Sequence, residues 1–269
     1  MQETYLHVPV PWRKSVKITR PPKRSEAFYN MIVYGMTGVG KTHLLGSAQD
    51  CPTTSPTLIL NIDGGLLTLA DQKIAVVNVA NFKELQEVYD FLRNENTKYK
   101  SVAMDTLTEE QRVISMGSIT GEVDDDLSFT DLGKSTPPTR QDWLKSSHQM
   151  RKLIRAFRDL SYHSDPTKRL HVFMTAAQKV DETMQRGAPA LPGALALEAG
   201  GYVDVLGHLV MRKRLSEDGT KETTHRFLYA HEHTDDDGVT YLGKNRLGRL
   251  GRGVWDPTVA KLIELWTGE

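Results

Sequence analysis

Residues 31–42 read Met31-Ile32-Val33-Tyr34-Gly35-Met36-Thr37-Gly38-Val39-Gly40-Lys41-Thr42. An apolar run enters a Gly-x-x-x-x-Gly-Lys-Thr string, and the pattern predicts a strand, a glycine-bent loop and a helix. Such a loop turns successive backbone N–H groups inward onto one point, and the following helix adds the positive end of its dipole. The chemistry suits a nucleoside triphosphate. The Lys41 ammonium would reach the β- and γ-phosphates, and the Thr42 hydroxyl would ligate Mg²⁺. A glycine-rich turn feeding a helix is the plainer alternative. The apolar strand over Ala27–Tyr34 and the helix over Lys41–Ala48 argue against it. The expected nucleotide contacts are Gly35, Met36, Thr37, Gly38, Val39, Gly40, Lys41, Thr42 and His43.

Outward from this loop, strand and helix patterns alternate. Thr57–Asp63 reads as a short strand closed by Asp63-Gly64-Gly65, and Ile74–Val79 as another. Asn81 and Glu84 stand three apart like a capping box, before Phe82, Leu85, Val88 and Leu92 recur at helical spacing. Ser101–Met104 is a strand ending in Asp105. Polar sequence over 121–140 predicts a loop or lid. A long helix carries Met150, Leu153, Ile154, Phe157 and Leu160 on one face, and Leu170–Met174 is the next strand. Val203–Met211 and Thr224–Tyr229 read as strands around a turn at Ser216–Thr220. Asp256-Pro257 predicts the cap and first turn of a last helix. The expected fold is therefore α/β: a mainly parallel sheet flanked by helices, extended by antiparallel strands in the C-terminal third.

The chain has 269 residues, enough for one large α/β domain. Residues 4–25 hold six bases, no acid and Pro9, Pro11, Pro21 and Pro22, which predicts a basic extended arm over 1–27 before a domain over 28–269. A short strand at Val16–Thr19 is expected within it. Lys+Arg and Asp+Glu number 34 each, so any polyanion-binding surface must be local rather than global. A single cysteine, Cys51, excludes an intrachain disulfide and suits the cytoplasm. No apolar run approaches membrane-spanning length, so no membrane partner is expected.

Several side chains carry candidate chemistry. Asp105, at a strand end, fits the carboxylate that holds Mg²⁺ through Thr42 and water. Asp63, before two glycines, could orient or deprotonate the attacking water, or simply form the turn. Thr175 and Gln178, after the Leu170–Met174 strand, are placed to sense the γ-phosphate. Lys244 and Arg246, two apart on an extended segment, point to one side and could clamp a nucleotide held by a neighbouring subunit. Lys179 and Arg186 in a loop over 178–192, with Arg212, Lys213 and Arg214 at a strand end, are candidate DNA phosphate contacts. Trp143 is expected in the core, and His231 and His233 on a solvated turn.

With these residues in view, the chain resembles the RecA-like P-loop ATPases of phage and bacterial single-strand-annealing recombination, often described as AAA-type phage nucleotide-binding proteins. The resemblance spans roughly 28–268. It rests on Gly35–Thr42, Asn61-Ile62-Asp63-Gly64-Gly65-Leu66, Val102–Thr106, Gln141-Asp142-Trp143, Val172-Phe173-Met174-Thr175-Ala176 and Lys244-Asn245-Arg246-Leu247-Gly248. The last string is similar to the Lys-Asn-Arg-Phe-Gly motif of RadA-type proteins and to the finger pair of hexameric replicative helicases. Two departures stand out: Asp63 where glutamate is usual, and Ala177-Gln178 where a histidine is common.

The resemblance implies ATP with Mg²⁺, assembly into a homo-oligomeric ring or filament, and single-stranded DNA as partner, with a single-strand DNA-binding protein as a further one. The leading expectation is an ATP-hydrolysing recombination protein. A helicase-like or replisome-loading ATPase is the second class, and a small-molecule kinase the third.

Overall fold

The computed structural model describes residue 23 and residues 26–121, 137–215 and 221–268. The expected strand at Val16–Thr19, most of the loop over 121–140 and the turn at Ser216–Thr220 lie outside the described residues.

The strands are β1 (Asn30–Gly35), β2 (Thr57–Asn61), β3 (Ala75–Asn78), β4 (Ser101–Asp105), β5 (His171–Asp181), β6 (Arg186–Pro189), β7 (Val205–Leu215), β8 (Glu222–Tyr229), β9 (His233–Thr234), β10 (Thr240–Tyr241), β11 (Lys244–Asn245) and β12 (Gly253–Trp255). The main sheet runs in the order β12-β8-β7-β1-β5-β4-β2-β3. From β7 to β3 all neighbours are parallel, while β8 and β12 are added antiparallel. Between β1 and the strand that ends in Asp105 lies a single strand, β5, so one sheet edge carries the glycine loop, Asp105 and the end of β5 side by side.

Because side chains alternate across a strand, β1 supplies both cores. Ile32 and Tyr34 face one cluster with Leu60, Met104 and Met174; Met31 and Val33 face the other with Ile59, Ala103 and Phe173. Helices α2 (Phe82–Asn94), α5 (Arg140–Asp159) and α6 (Leu195–Tyr202) cover the first face, with the short α3 (Leu107–Glu109) and α4 (Met116–Thr120) beside them. On the second lie α1 (Lys41–Gly46) and α7 (Val259–Thr267). The fold is thus three layers, helix–sheet–helix. Among the described residues no helix is long and apolar enough to cross a membrane.

Local signals explain the helix starts. The Asn81 side chain accepts from the Glu84 N–H at 3.0 Å, and Thr139 and Asp142 form a full capping box at the head of α5. The last helix corrects the expectation: Thr258, not Asp256, is its cap, accepting from Lys261 N–H at 3.2 Å. Asp256 is drawn away to β8, where its carboxylate meets His225 and the Arg226 N–H. Helix α6 has no counterpart in the periodicity reading, because Leu195-Ala196-Leu197-Glu198-Ala199 is apolar nearly all round.

Strand β5 is longer than the expected Leu170–Met174. It continues to Asp181 because β6 pairs antiparallel with its end, Gln178 opposite Pro189 and Asp181 opposite Arg186. The segment read as a loop over 178–192 is therefore largely a hairpin, and Thr175 and Gln178 lie within a strand. Likewise Arg212, Lys213 and Arg214 do not cap a strand; β7 carries them opposite His225, Thr224 and Thr223 of β8.

Candidate functional site

The loop after β1 forms a cradle at the carboxyl edge of the sheet. Gly40 sits at φ +98°, a conformation that side-chain-bearing residues rarely take. A Cβ on Gly35 would come within 2.3 Å of the Leu209 carbonyl, so β7 can press on the loop only where glycine stands. Lys41 Nζ donates to the carbonyls of Gly35 at 3.0 Å and Met36 at 2.9 Å, lying across the loop mouth. Burial lowers its pKa, while the Asp105 and Asp63 carboxylates pull the other way.

Asp105 ends β4 and is fully buried. Its carboxylate is gripped from both sides: Thr42 donates to Oδ2 at 2.6 Å, and Thr175 donates to Oδ1. Burial raises its pKa and the two hydroxyls counter that by stabilising the anion. One carboxylate and one hydroxyl, both hard oxygen donors beside a phosphate cradle, suit Mg²⁺, which keeps waters and phosphate oxygens as its other ligands. Among the described residues no group of three or more His, Cys, Asp or Glu could hold a metal unaided.

Asp63 is exposed, and its Oδ1 accepts from the Gly65 N–H at 2.9 Å, the turn-forming contact. It still faces the cradle closely enough for its charge to act on Lys41 and Asp105. The backbone ties the two strand ends together, with Ile62 N–H donating to Asp105 O at 2.9 Å.

Thr175 acts on Asp105 rather than on open space. Gln178, three residues on, borders a cleft of about 480 Å³ whose other walls include Met36, Thr37, His208, Tyr229 and Arg212. Its Oε1 lies 2.8 Å from His208 Nε2, and His208 Nδ1 lies 3.3 Å from His233 Nε2. His233 in turn stacks on Tyr229 with ring centroids 3.5 Å apart. His233 is therefore not on a solvated turn: it is packed against rings that the sequence separates widely. Burial holds both imidazoles neutral, pushing His208 down to about 3 and His233 in the same direction.

Lys244 and Arg246 lie at the opposite edge of the sheet. Lys244 Nζ donates to the carbonyls of Gly200 at 2.6 Å and Val203 at 2.9 Å, and Arg246 Nη1 pairs with Asp204 Oδ1 at 3.1 Å. Asp204 is itself bonded to Asn30, the first residue of β1. Gly35 lies five steps along β1 from that level, roughly 17 Å at ~3.3 Å per residue. Neither cation stands beside the cradle of its own chain.

The candidate DNA contacts are dispersed. Lys179 donates to Leu191 O, and Arg186 pairs with Glu232 at 3.4 Å. Arg212 lies over the Tyr229 ring and Arg214 over Trp255, while Lys213 pairs with Glu222 at 2.8 Å. A second groove of about 530 Å³ lies on the other side of β5 and is lined by Trp143, Arg112, Arg140, Lys179 and, again, Gln178. Trp143 corrects the expectation of a core aromatic, being 44% exposed. It is on the same stripe as Ser146 and Met150, but in the first turn of α5, where the ring lines the groove instead of meeting the packed core.

Sequence reasoning also missed Arg226, whose Nε donates to the Val39 carbonyl at 3.2 Å. Only the β7–β8 register, Arg226 opposite Met211, brings it to the loop. Glu110, buried in a π-helical turn over Glu110–Ser115, was missed for the same reason: nothing local marks it.

No curated protein sequence matches. Among solved structures, the chain is similar to an ATPase from the type III secretion system of pathogenic bacteria, at 15% identity and a TM-score of 0.43. The similarity covers 81% of this chain and 66%, just under two thirds, of that one. A sequence-family model described as an AAA domain matches residues 27–247, most of the chain and every cradle residue above. The chain therefore belongs to the AAA-domain family, with the nucleotide-binding core of a P-loop ATPase.

Proposed function

We propose that the protein is a Mg²⁺-dependent ATPase that acts on single-stranded DNA in recombination, working as a ring or filament. The observation that carries this reading is the position of Gln178, which borders both the cleft at the phosphate loop and the groove of Trp143, Arg112 and Arg140. A single-stranded nucleic acid needs cations for its backbone and an open ring for its bases, and this groove supplies both. A change at the γ-phosphate felt by Gln178 would reach that groove without crossing the core.

In this reading Lys41 and the loop amides hold the phosphates, and Thr42 and Asp105 hold Mg²⁺. When bound, the ion would neutralise charge on the phosphate oxygens. Thr175 keeps the Asp105 carboxylate oriented, and Asp63 stands near enough to orient water. Lys244 and Arg246, remote from their own cradle, serve that of an adjoining copy. A motor or loader built on the same core remains a different outcome, separable by duplex unwinding.

The test is fluorescence anisotropy of a labelled oligonucleotide with and without ATP. Binding that strengthens or weakens with nucleotide supports the proposal; no binding in any nucleotide state ends it.

A further inference from the structure

We propose that Arg226 is a phosphate contact in cis, its guanidinium closing the nucleotide cradle from the β8 side. The inference rests on the nucleotide reading of the loop and adds a residue that no motif there contains.

Arg226 lies on β8 opposite Met211. It shares a strand face with Leu228, two residues on, which is buried in the same core cluster as Leu44 and Leu45 of α1. The side chain is half-buried and runs to the loop, where Nε donates to Val39 O at 3.2 Å. It fills the place where any larger residue at 40 would project: a Cβ on Gly40 would lie 2.3 Å from Arg226 Nε and 2.9 Å from its Cζ. The glycine thus admits both the bend of the loop and the cation beside it.

The guanidinium offers five N–H donors in a planar fork. Among the described residues, several other arginines rest on a carboxylate. Arg151 holds Glu198 through two bonds of 2.8 and 3.1 Å, and Arg246 holds Asp204. Arg226 forms no ion pair among the described residues. Asp256, close by, is spent elsewhere: its Oδ1 accepts the Arg226 backbone N–H at 3.2 Å and its Oδ2 meets His225 at 2.7 Å. A half-buried cation held only by a carbonyl pays for its desolvation without a counter-charge. Phosphate oxygens in the adjoining cradle supply one, in the planar forked geometry that arginine fits.

The experiment is calorimetric titration of ADP and ATP into the wild-type protein, Arg226→Gln and Arg226→Lys, at two salt concentrations, with melting curves of each protein without nucleotide. Arg226→Gln should weaken both nucleotides roughly ten- to hundredfold and flatten the salt dependence. Arg226→Lys keeps the charge but not the Nε bond to Val39, so it should recover part of that loss. Equal losses in the two variants would reduce Arg226 to a brace for the loop and overturn the proposal, as would wild-type affinity in Arg226→Gln. Failure of the wild-type protein to bind nucleotide would instead overturn the reading on which it rests.

Discussion

Glu110→Gln should convert a pH-sensitive fold into a less sensitive one. Glu110 is fully buried one turn beyond the strand end that carries Asp105. Its Oε1 accepts from Ser115 Oγ at 2.8 Å, while Oε2 has no hydrogen-bond partner among the described residues. Burial pushes its pKa from an ordinary 4.5 up to about 7, with the Ser115 bond opposing weakly. The folded protein therefore holds this proton more tightly than the unfolded chain, and stability must fall as pH rises between the two values. At about 1.36 kcal/mol for each pH unit, a rise from 4.5 to about 7 corresponds to about 3 kcal/mol. The loss begins above pH 4.5 and levels off above about 7. In a chain of this size that is a relative shift in melting temperature of about 6–12 °C. The assay is thermal or urea melting of wild type and variant from pH 4.5 to 8.5, read as the difference between the curves, so that all other titrating groups cancel. Gln cannot ionise, so the variant should gain on the wild type across that window, whatever constant penalty its amide carries. Parallel curves would refute the reasoning and mean that Glu110 ionises without cost.

Three further outcomes follow from the site. Lys41→Ala removes the cation across the loop mouth, and losing charge-assisted contacts of ~1.5–3 kcal/mol each should weaken ATP binding a hundredfold or more in calorimetry. Asp105→Asn keeps oxygen and shape but not charge; phosphate release should stop across a full Mg²⁺ titration, while the melting temperature without nucleotide should not drop, since the buried anion is already disfavoured. Trp143→Ala should cost ~1–3 kcal/mol of oligonucleotide binding, measured by anisotropy, and leave ATP affinity unchanged, because the ring lines the groove and not the cradle.

What could be read from the sequence was what neighbouring residues fix. The apolar run of β1, the glycine loop and the Asn81 cap each arise within a few residues, and all three are found where spacing puts them. The contact between Thr42 and Asp105 spans 63 residues, yet each end bore its own local mark, so the pair was legible too. Arg226, by contrast, acquires its position from the strand register with β7, and His208 and His233 meet only because β10 folds back to put Tyr241 beside them. The tail of β5 is a strand because β6 pairs with it; polar residues such as Gln178 and Lys179 carry no apolar alternation to announce that. Trp143 shows the converse limit. Its helical spacing was right, but spacing says nothing about where the core beneath a helix stops.

The separation of the glycine cradle from Lys244 and Arg246, at opposite ends of β1, has a consequence for symmetry. For those cations to serve a neighbour's phosphates, the surfaces that meet must be different ones, the top of one molecule and the bottom of another. A two-fold pair satisfies both only side by side and antiparallel, each cradle meeting the partner's cations; end to end it would match like with like. End-to-end contacts of cradle to cations would repeat in one direction only and give such an assembly polarity. Unless it closes on itself, its two tips are chemically unlike: one a cradle awaiting its cations, the other cations without a phosphate.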